Sequence, residues 1–420
     1  MIHACFGLYD KTGSYSKFTG TAMLSLFENI ATPPSIPSIT VHILHDNTLT
    51  DDNRDKFIQI AERYGQRLKF YNVEEIEICR EEFAEVVANF PQAKESRFSI
   101  AMFYRLFIPT LLLPQGIEKS FYLDSDIIVN LDISEFWQID LGDKPFGAVS
   151  RASQIKDKKN DNTRKAITLV REGIVNAEDY FFSGGLLMNL KVMREKKNVI
   201  LAGMKFISER SQCIYLDQDV LNYCFSTSYL KLPTKFNTVM FFERFENEWT
   251  IEKKIYHYAG GIASGLGLDM SDPYNHLWWS YFIKTPWFNI DTINNISKAI
   301  QRFNIERENF MLRFSAIPSG MSRAFIVDEE HADLIEKKFS VRDDEDVIII
   351  DPKSKDSLQK LKNLMRVSKN RNIFFVGIAD VAWRLKEADF VEGENFFDVS
   401  QIYSPTWASN VNGYNLIMSM

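Results

Sequence analysis

Tyr122-Leu123-Asp124-Ser125-Asp126-Ile127-Ile128-Val129 sets two carboxylates one residue apart between apolar runs. Phe121 to Leu123 before the acids and Ile127 to Val129 after them predict a buried strand. Side chains two apart on a strand share a face, so Asp124 and Asp126 are expected to project together from the end of an apolar strand. Two carboxylates that close repel and raise each other's pKa unless a cation lies between them. A divalent metal that prefers oxygen is the simplest such cation, and a metal with few protein ligands usually binds substrate phosphates too. The plainer alternative is a solvated turn that happens to hold two acids.

Working outward, strand-like and helical runs alternate. Residues 4–8 read as a strand and 21–29 as an amphipathic helix; 39–44 lead into a helical stretch over 51–64, and 68–73 follow as a strand. A helical segment over 100–113 then delivers the chain to the acid pair. This rhythm predicts an α/β fold, a parallel sheet covered by helices with ligands at the carboxyl ends of its strands. After 146–149 comes a lysine-rich loop around 153–165, then Ser183-Gly184-Gly185-Leu186-Leu187-Met188-Asn189-Leu190 and Asp217-Gln218-Asp219-Val220-Leu221-Asn222.

The chain is long enough for one large domain and a smaller one, and its 33 Phe, 16 Tyr and 7 Trp supply real cores and exclude a disordered chain. A net charge of −7 gives no general affinity for nucleic acid; the clusters at 156–159 and 194–197 read as solvated loops or as contacts to an anionic membrane surface. No apolar run is long enough to cross a bilayer, and the N-terminus enters a strand directly, without the pattern of a signal peptide. Four cysteines without a CxxC pair fit a reducing cytoplasm.

Other residues add to the acid pair. His257-Tyr258-Ala259-Gly260-Gly261 follows a short strand-like run, and a neutral imidazole completes a metal site begun by carboxylates. The mixed nitrogen and oxygen set favours manganese over magnesium; the bland alternative is a structural histidine. Asp217 and Gln218 open a helix, where acids also serve simply to complement the helix dipole. Trp278, Trp279 and Trp287 read as packing, and His42 and His45, three apart on a strand, face opposite ways.

In this order (a first-strand loop, an Arg before the acids, YLDSD, SGGLLMNL, LDQDVLN and HYAGG) the motifs resemble glycosyltransferase family 8 over about residues 1–288. The resemblance implies a GT-A fold with a mixed, mainly parallel sheet, a UDP-sugar donor, manganese (or magnesium) and transfer with retention. It implies that Asp124, Asp126 and His257 hold the metal, and that Gly7, Asp10, Tyr15, Arg105, Ser125, Ser183, Gly184 and Gly260 line the donor. Asp217 and Gln218 fall at the polar pair beneath the transferred sugar. The expected reaction moves a hexose, glucose or galactose, to a glycan or lipid-linked glycan such as lipopolysaccharide, in the cytoplasm or peripherally at the inner membrane face.

The chain departs from the family's pattern at three places. Ala263 stands where a lysine usually assists the diphosphate, Phe182 replaces the asparagine before the Ser-Gly pair, and the first loop carries Lys11-Thr12-Gly13 as extra residues. These leave the donor sugar open and raise the question of a relocated cation, with Lys284 and the 153–165 loop as candidates. Two other functions stay open at this point. One is a haloacid dehalogenase-type phosphotransferase, although Ile128 stands where that family has Thr or Val; the other is a degenerate glycan-binding scaffold.

Composition changes near residue 290. A helical connector is expected over 291–312, then a small α/β accessory domain over 313–420, with apolar strands at 325–327, 347–350 and 373–376 and a role in acceptor engagement or oligomerisation.

Overall fold

Ile2–Leu8 (β1), Ile39–His45 (β2) and Arg67–Asn72 (β3) are parallel neighbours, as the alternating rhythm predicts. Lys119–Leu123 (β4) lies parallel to β1 on its other side, followed in the chain by Ile127–Val129 (β5) and Phe146–Ser150 (β6). Phe181–Asn189 (β7) runs antiparallel to both β4 and β6, and Leu230–Leu232 (β8) is parallel to β6. The result is a mixed, mainly parallel sheet of seven strands in the order β3-β2-β1-β4-β7-β6-β8. Thr238–Val239 (β9) and Ile255–His257 (β10) join β5 in a separate sheet ordered β5-β10-β9.

The computed structural model describes residues 1–13, 15–30, 38–91, 100–154, 167–240, 250–259, 272–298, 301, 321–329, 332, 343, 345–351, 354–368, 371–388, 390–391, 394 and 396–399. They divide into two compact units, the first ending at Ile293 and the second beginning at Asn294.

The acid motif corrects its own sequence reading. Residues 121–129 are not one strand: β4 belongs to the large sheet, β5 to the small one, and Asp124-Ser125-Asp126 turns between them. The Asp124 N–H still donates to Gly184 O at 2.8 Å, continuing the ladder with β7. Beyond it the Ser125 hydroxyl bonds Thr19 Oγ1 at 2.7 Å, off the sheet, and the backbone turns away. Both flanks are apolar because each is buried in a sheet of its own, a pattern that sequence alone cannot tell from one long strand.

Helix Ser16–Glu28 starts earlier than expected and is buried at every residue but Glu28, so it is not amphipathic. It packs against β1, β5 and the helices Asp51–Arg63 and Pro273–Phe282, which leaves it no solvent face. Gly20 makes this packing possible, since a Cβ there would lie 2.1 Å from the Trp287 ring. Trp278 is buried and stacks on Phe282 at 4.7 Å, as the packing reading expects.

In the second unit Ser322–Val327 (β11), Asp346–Ile349 (β12), Asn372–Val376 (β13) and Phe396–Asp398 (β14) form a parallel sheet ordered β12-β11-β13-β14. The sequence showed the first three strands and missed β14, whose three residues are too few for any periodicity. One face of this sheet packs against Leu361, Met365, Val381 and Leu385, which come from helices Lys355–Ser368 and Ala379–Lys386.

Candidate active site

β10 pairs antiparallel with β5 so that His257 lies opposite Ile127, and the Tyr258 N–H donates to Asp126 O at 2.9 Å. That pairing delivers the imidazole to the acid turn. His257 Nε2 lies 3.3 Å from Asp126 Oδ1 and 3.6 Å from Asp124 Oδ2, and one ligand atom from each of the three residues lies within 4.8 Å of the others. His257 Nδ1 faces Asn237 Oδ1 at 3.0 Å; with the proton on Nδ1, Nε2 offers its lone pair to the acids' side. Burial alone would lower the His257 pKa, but the Asp126 carboxylate outweighs it and the net shift is upward. Burial likewise raises that of Asp126, and His257 turns the net shift downward. Two carboxylates and an imidazole so arranged are a cation-seeking set whose donors fit a divalent metal.

Gly184 forms the wall beside this set. A Cβ there would lie 2.3 Å from His257 Cε1 and 2.4 Å from Asp124 Oδ2, so only glycine lets β7 pass this close. Ser183 next to it connects the acids to the helix Leu216–Phe225: its N–H donates to Gln218 Oε1 at 3.0 Å and its hydroxyl to Asp217 Oδ2 at 3.3 Å.

Arg105 joins the two groups. Its guanidinium is buried, donating from Nη2 to Asp124 Oδ1 at 2.9 Å and lying with Nε 3.1 Å from Asp217 Oδ2. Nη1 donates to Ser183 O, and the guanidinium sits 4.3 Å from the Tyr122 ring centre. Burial opposes the charge, yet Asp124 and Asp217 more than offset it and hold Arg105 protonated. The Tyr122 hydroxyl also donates to Asp124 Oδ1, at 2.9 Å. Burial pushes the Asp217 carboxyl up to about 6, against the pull of Arg105. Gln218 donates from Nε2 to the Tyr180 hydroxyl at 3.0 Å, and that hydroxyl donates to Asp219 Oδ1 at 2.8 Å.

The first loop sits on the same end of the sheet. Asp10 is buried and accepts from the N–H groups of Tyr15 (2.6 Å) and Ser16 (3.0 Å), from the Ser16 hydroxyl, and from Asn53 Nδ2 (3.1 Å). It therefore caps helix Ser16–Glu28 from a distance and shapes the loop. The Tyr15 ring leans on Phe18 at 5.5 Å. Gly7 O receives the Ser125 hydroxyl at 3.4 Å, which ties the loop to the acid turn.

The structure thus brings Gly7, Arg105, Asp124, Ser125, Asp126, Ser183, Gly184, Asp217, Gln218 and His257 into one connected set, with Asp10 and Tyr15 at its edge. Gly260 and Ala263 lie outside the described residues. Lys284 does not join the set. Its Nζ pairs with Glu28 at 2.6 Å, at the end of helix Ser16–Glu28 opposite the Asp10 cap. Sequence reasoning missed Asn237, Thr19 and Tyr180, because each is defined by a partner 20 or more positions away and none stands in a motif.

The chain is 23% identical over 297 residues to General stress protein A of Bacillus subtilis (strain 168), covering 67% of this chain and 93% of that protein. It is 28% identical over 216 residues to a putative glycosyltransferase of Haemophilus influenzae, covering 51% of this chain and 57% of that protein. It is 31% identical over 142 residues to the lipopolysaccharide 1,2-glucosyltransferase of Escherichia coli K12, covering 34% of this chain and 39% of that protein. Among solved structures, the galactosyltransferase LgtC, determined with donor and acceptor sugar analogues, superposes with a TM-score of 0.50 at 20% identity. That superposition covers 68% of this chain and 96% of LgtC, and it shows a shared fold. The sequence profile described as glycosyl transferase family 8 matches residues 8–262, more than half of the chain, and the chain belongs to that family.

Proposed function

We propose that this glycosyltransferase moves a hexose, glucose or galactose, from a UDP-sugar to a glycan or lipid-linked glycan with retention, using a divalent metal, preferably manganese. The observation that carries the reading is the convergence of Asp124, Asp126 and His257 beside Gly184 at the carboxyl end of β4. A divalent metal at this triad would offset the charge of the diphosphate leaving group. Arg105 fixes the carboxylates of Asp124 and Asp217 in one arrangement before substrate arrives, so the site need not reorganise. Asp217 and Gln218, held under β7 by Ser183, are the polar groups assigned to the transferred sugar. Gln218 is a poor nucleophile and its amide is already engaged at both ends, which favours attack on the same face over a covalent intermediate. The second unit is assigned to acceptor engagement or oligomerisation.

The test is UDP release from UDP-glucose and UDP-galactose with manganese, with and without Asp124→Ala or Asp126→Ala. Loss of charge stabilisation worth several kcal/mol lowers turnover by about 10³-fold or more while the fold is kept. Near-normal turnover in either variant would sink the metal assignment. A folded wild-type chain that binds a UDP-sugar but never releases UDP would favour the scaffold reading instead.

A further inference from the structure

We propose that the helical face of the second unit is a docking surface for an anionic lipid bilayer. Residues 353–371 read KSKDSLQKLKNLMRVSKNR, seven bases against the single acid Asp356, in a chain whose net charge is −7. Most of this segment is helix Lys355–Ser368, which buries Leu361 and Met365 against the sheet and turns Lys360, Leu364, Arg366 and Val367 outward. Val367 is 86% exposed and Leu364 42%, although burial would be favourable for both.

The neighbouring helix, Ala379–Lys386, packs on the same face of the sheet through Val381 and Leu385 and leaves Trp383 58% exposed. The Arg366 guanidinium sits 5.7 Å from the Phe390 ring centre, which brings the end of the first helix beside the segment after the second. Two exposed aliphatic side chains among the bases of the first helix, with an exposed Trp on the second next to Arg384 and one turn before the acid Glu387, are the composition of a surface that enters the headgroup region through the first helix.

Charge and shape choose the occupant. A second copy docked through Lys355–Ser368 would set the bases of that helix against themselves, and like charges repel. Nucleic acid would use the bases but not Leu364 or Val367. A partner that encloses a basic amphipathic helix needs its apolar side, which here is already packed on the sheet. A bilayer is flat, anionic and apolar beneath its surface, and needs only one face.

The experiment is co-sedimentation of the full chain with vesicles of phosphatidylcholine alone and of phosphatidylcholine with about a third phosphatidylglycerol. Binding is expected only with the anionic vesicles and is expected to fall as salt rises. Lys360→Glu with Lys362→Glu and Arg366→Glu lowers the partition coefficient by about thirty-fold or more, and Trp383→Ala with Val367→Ser lowers it several-fold. Trp383→Phe retains most of it. Circular dichroism melts matching the wild type establish that the variants fold, since every substituted side chain is exposed or only partly buried. Equal binding to neutral vesicles, no binding to either, or unchanged binding by the triple variant overturns the proposal. So does a dimer in vesicle-free solution that the Trp383→Ala variant dissolves.

Discussion

Gly184 and His257 approach so closely that no side chain fits between them: a Cβ on Gly184 would lie 2.3 Å from His257 Cε1. Both partners are fixed, the glycine in β7 and the ring by Asn237. Gly184→Ala must therefore displace the imidazole or the Asp124 carboxylate. Such overpacking costs about 1–3 kcal/mol. Manganese affinity measured by calorimetry should fall at least about ten-fold, with a lower Tm. Wild-type affinity in this variant would mean that the ion binds elsewhere.

Arg105→Lys tests whether charge alone suffices. A lysine keeps the cation but not the planar fork that reaches Asp124, Asp217 and Ser183 O together. One buried carboxylate then loses its partner, and breaking such a pair costs about 3–5 kcal/mol. Turnover is expected to drop by about 10²-fold or more, with a loss of thermal stability that Asp217→Asn partly restores in the double variant. Full activity in Arg105→Lys would show that a point charge is enough.

Lys284 was a sequence candidate for the cation missing at Ala263, and its pairing with Glu28 gives a definite expectation. Lys284→Ala should leave affinity for UDP relative to uridine unchanged and cost no more than about 1 kcal/mol of stability, as for an exposed ion pair. A selective loss of UDP affinity in titrations with both ligands would restore Lys284 as a diphosphate contact.

A pH effect on stability is expected far from the triad. His42 is buried in β2, with Nε2 3.0 Å from His3 Nδ1 and Nδ1 3.0 Å from the Tyr71 hydroxyl. Burial, then the His3 and Lys69 charges, lower its pKa from 6.5 to about 3. The unfolded chain therefore takes up this proton first, so stability is full above pH 6.5 and declines as pH falls toward 3. At pH 5 the penalty is about 2 kcal/mol relative to pH 7.5. Chemical denaturation of His42→Gln at both pH values should show a pH-dependent loss smaller by about that amount. Parallel loss in the two proteins would count against a neutral buried His42.

Much of the site was legible because its chemistry is local. The acid pair, the histidine after a short strand and the Ser-Gly-Gly run each announce themselves within a few residues, and the alternating rhythm placed them at strand ends. Their assembly was less visible. The turn at Asp124-Ser125-Asp126 was hidden because two strands of different sheets are both apolar where they meet the acids. Helix Ser16–Glu28 lost its expected polar face to packing on all sides. Asn237 and Thr19 orient the ring and the turn through contacts 20 and 106 positions away, respectively, which no local pattern encodes.

The triad's three side chains hang from two sheets: Asp124 closes β4 of the larger, and His257 ends β10 of the smaller. Asp126 stands at the crossing between them. An ion gripped by all three would be a rivet across a seam, and its binding would add to what keeps the sheets together. Cohesion of the fold and occupancy of the triad would then be coupled, each favouring the other. Helix Ser16–Glu28, packed on β5 and bonded through Thr19 to Ser125, braces that crossing from one side without contributing a ligand of its own.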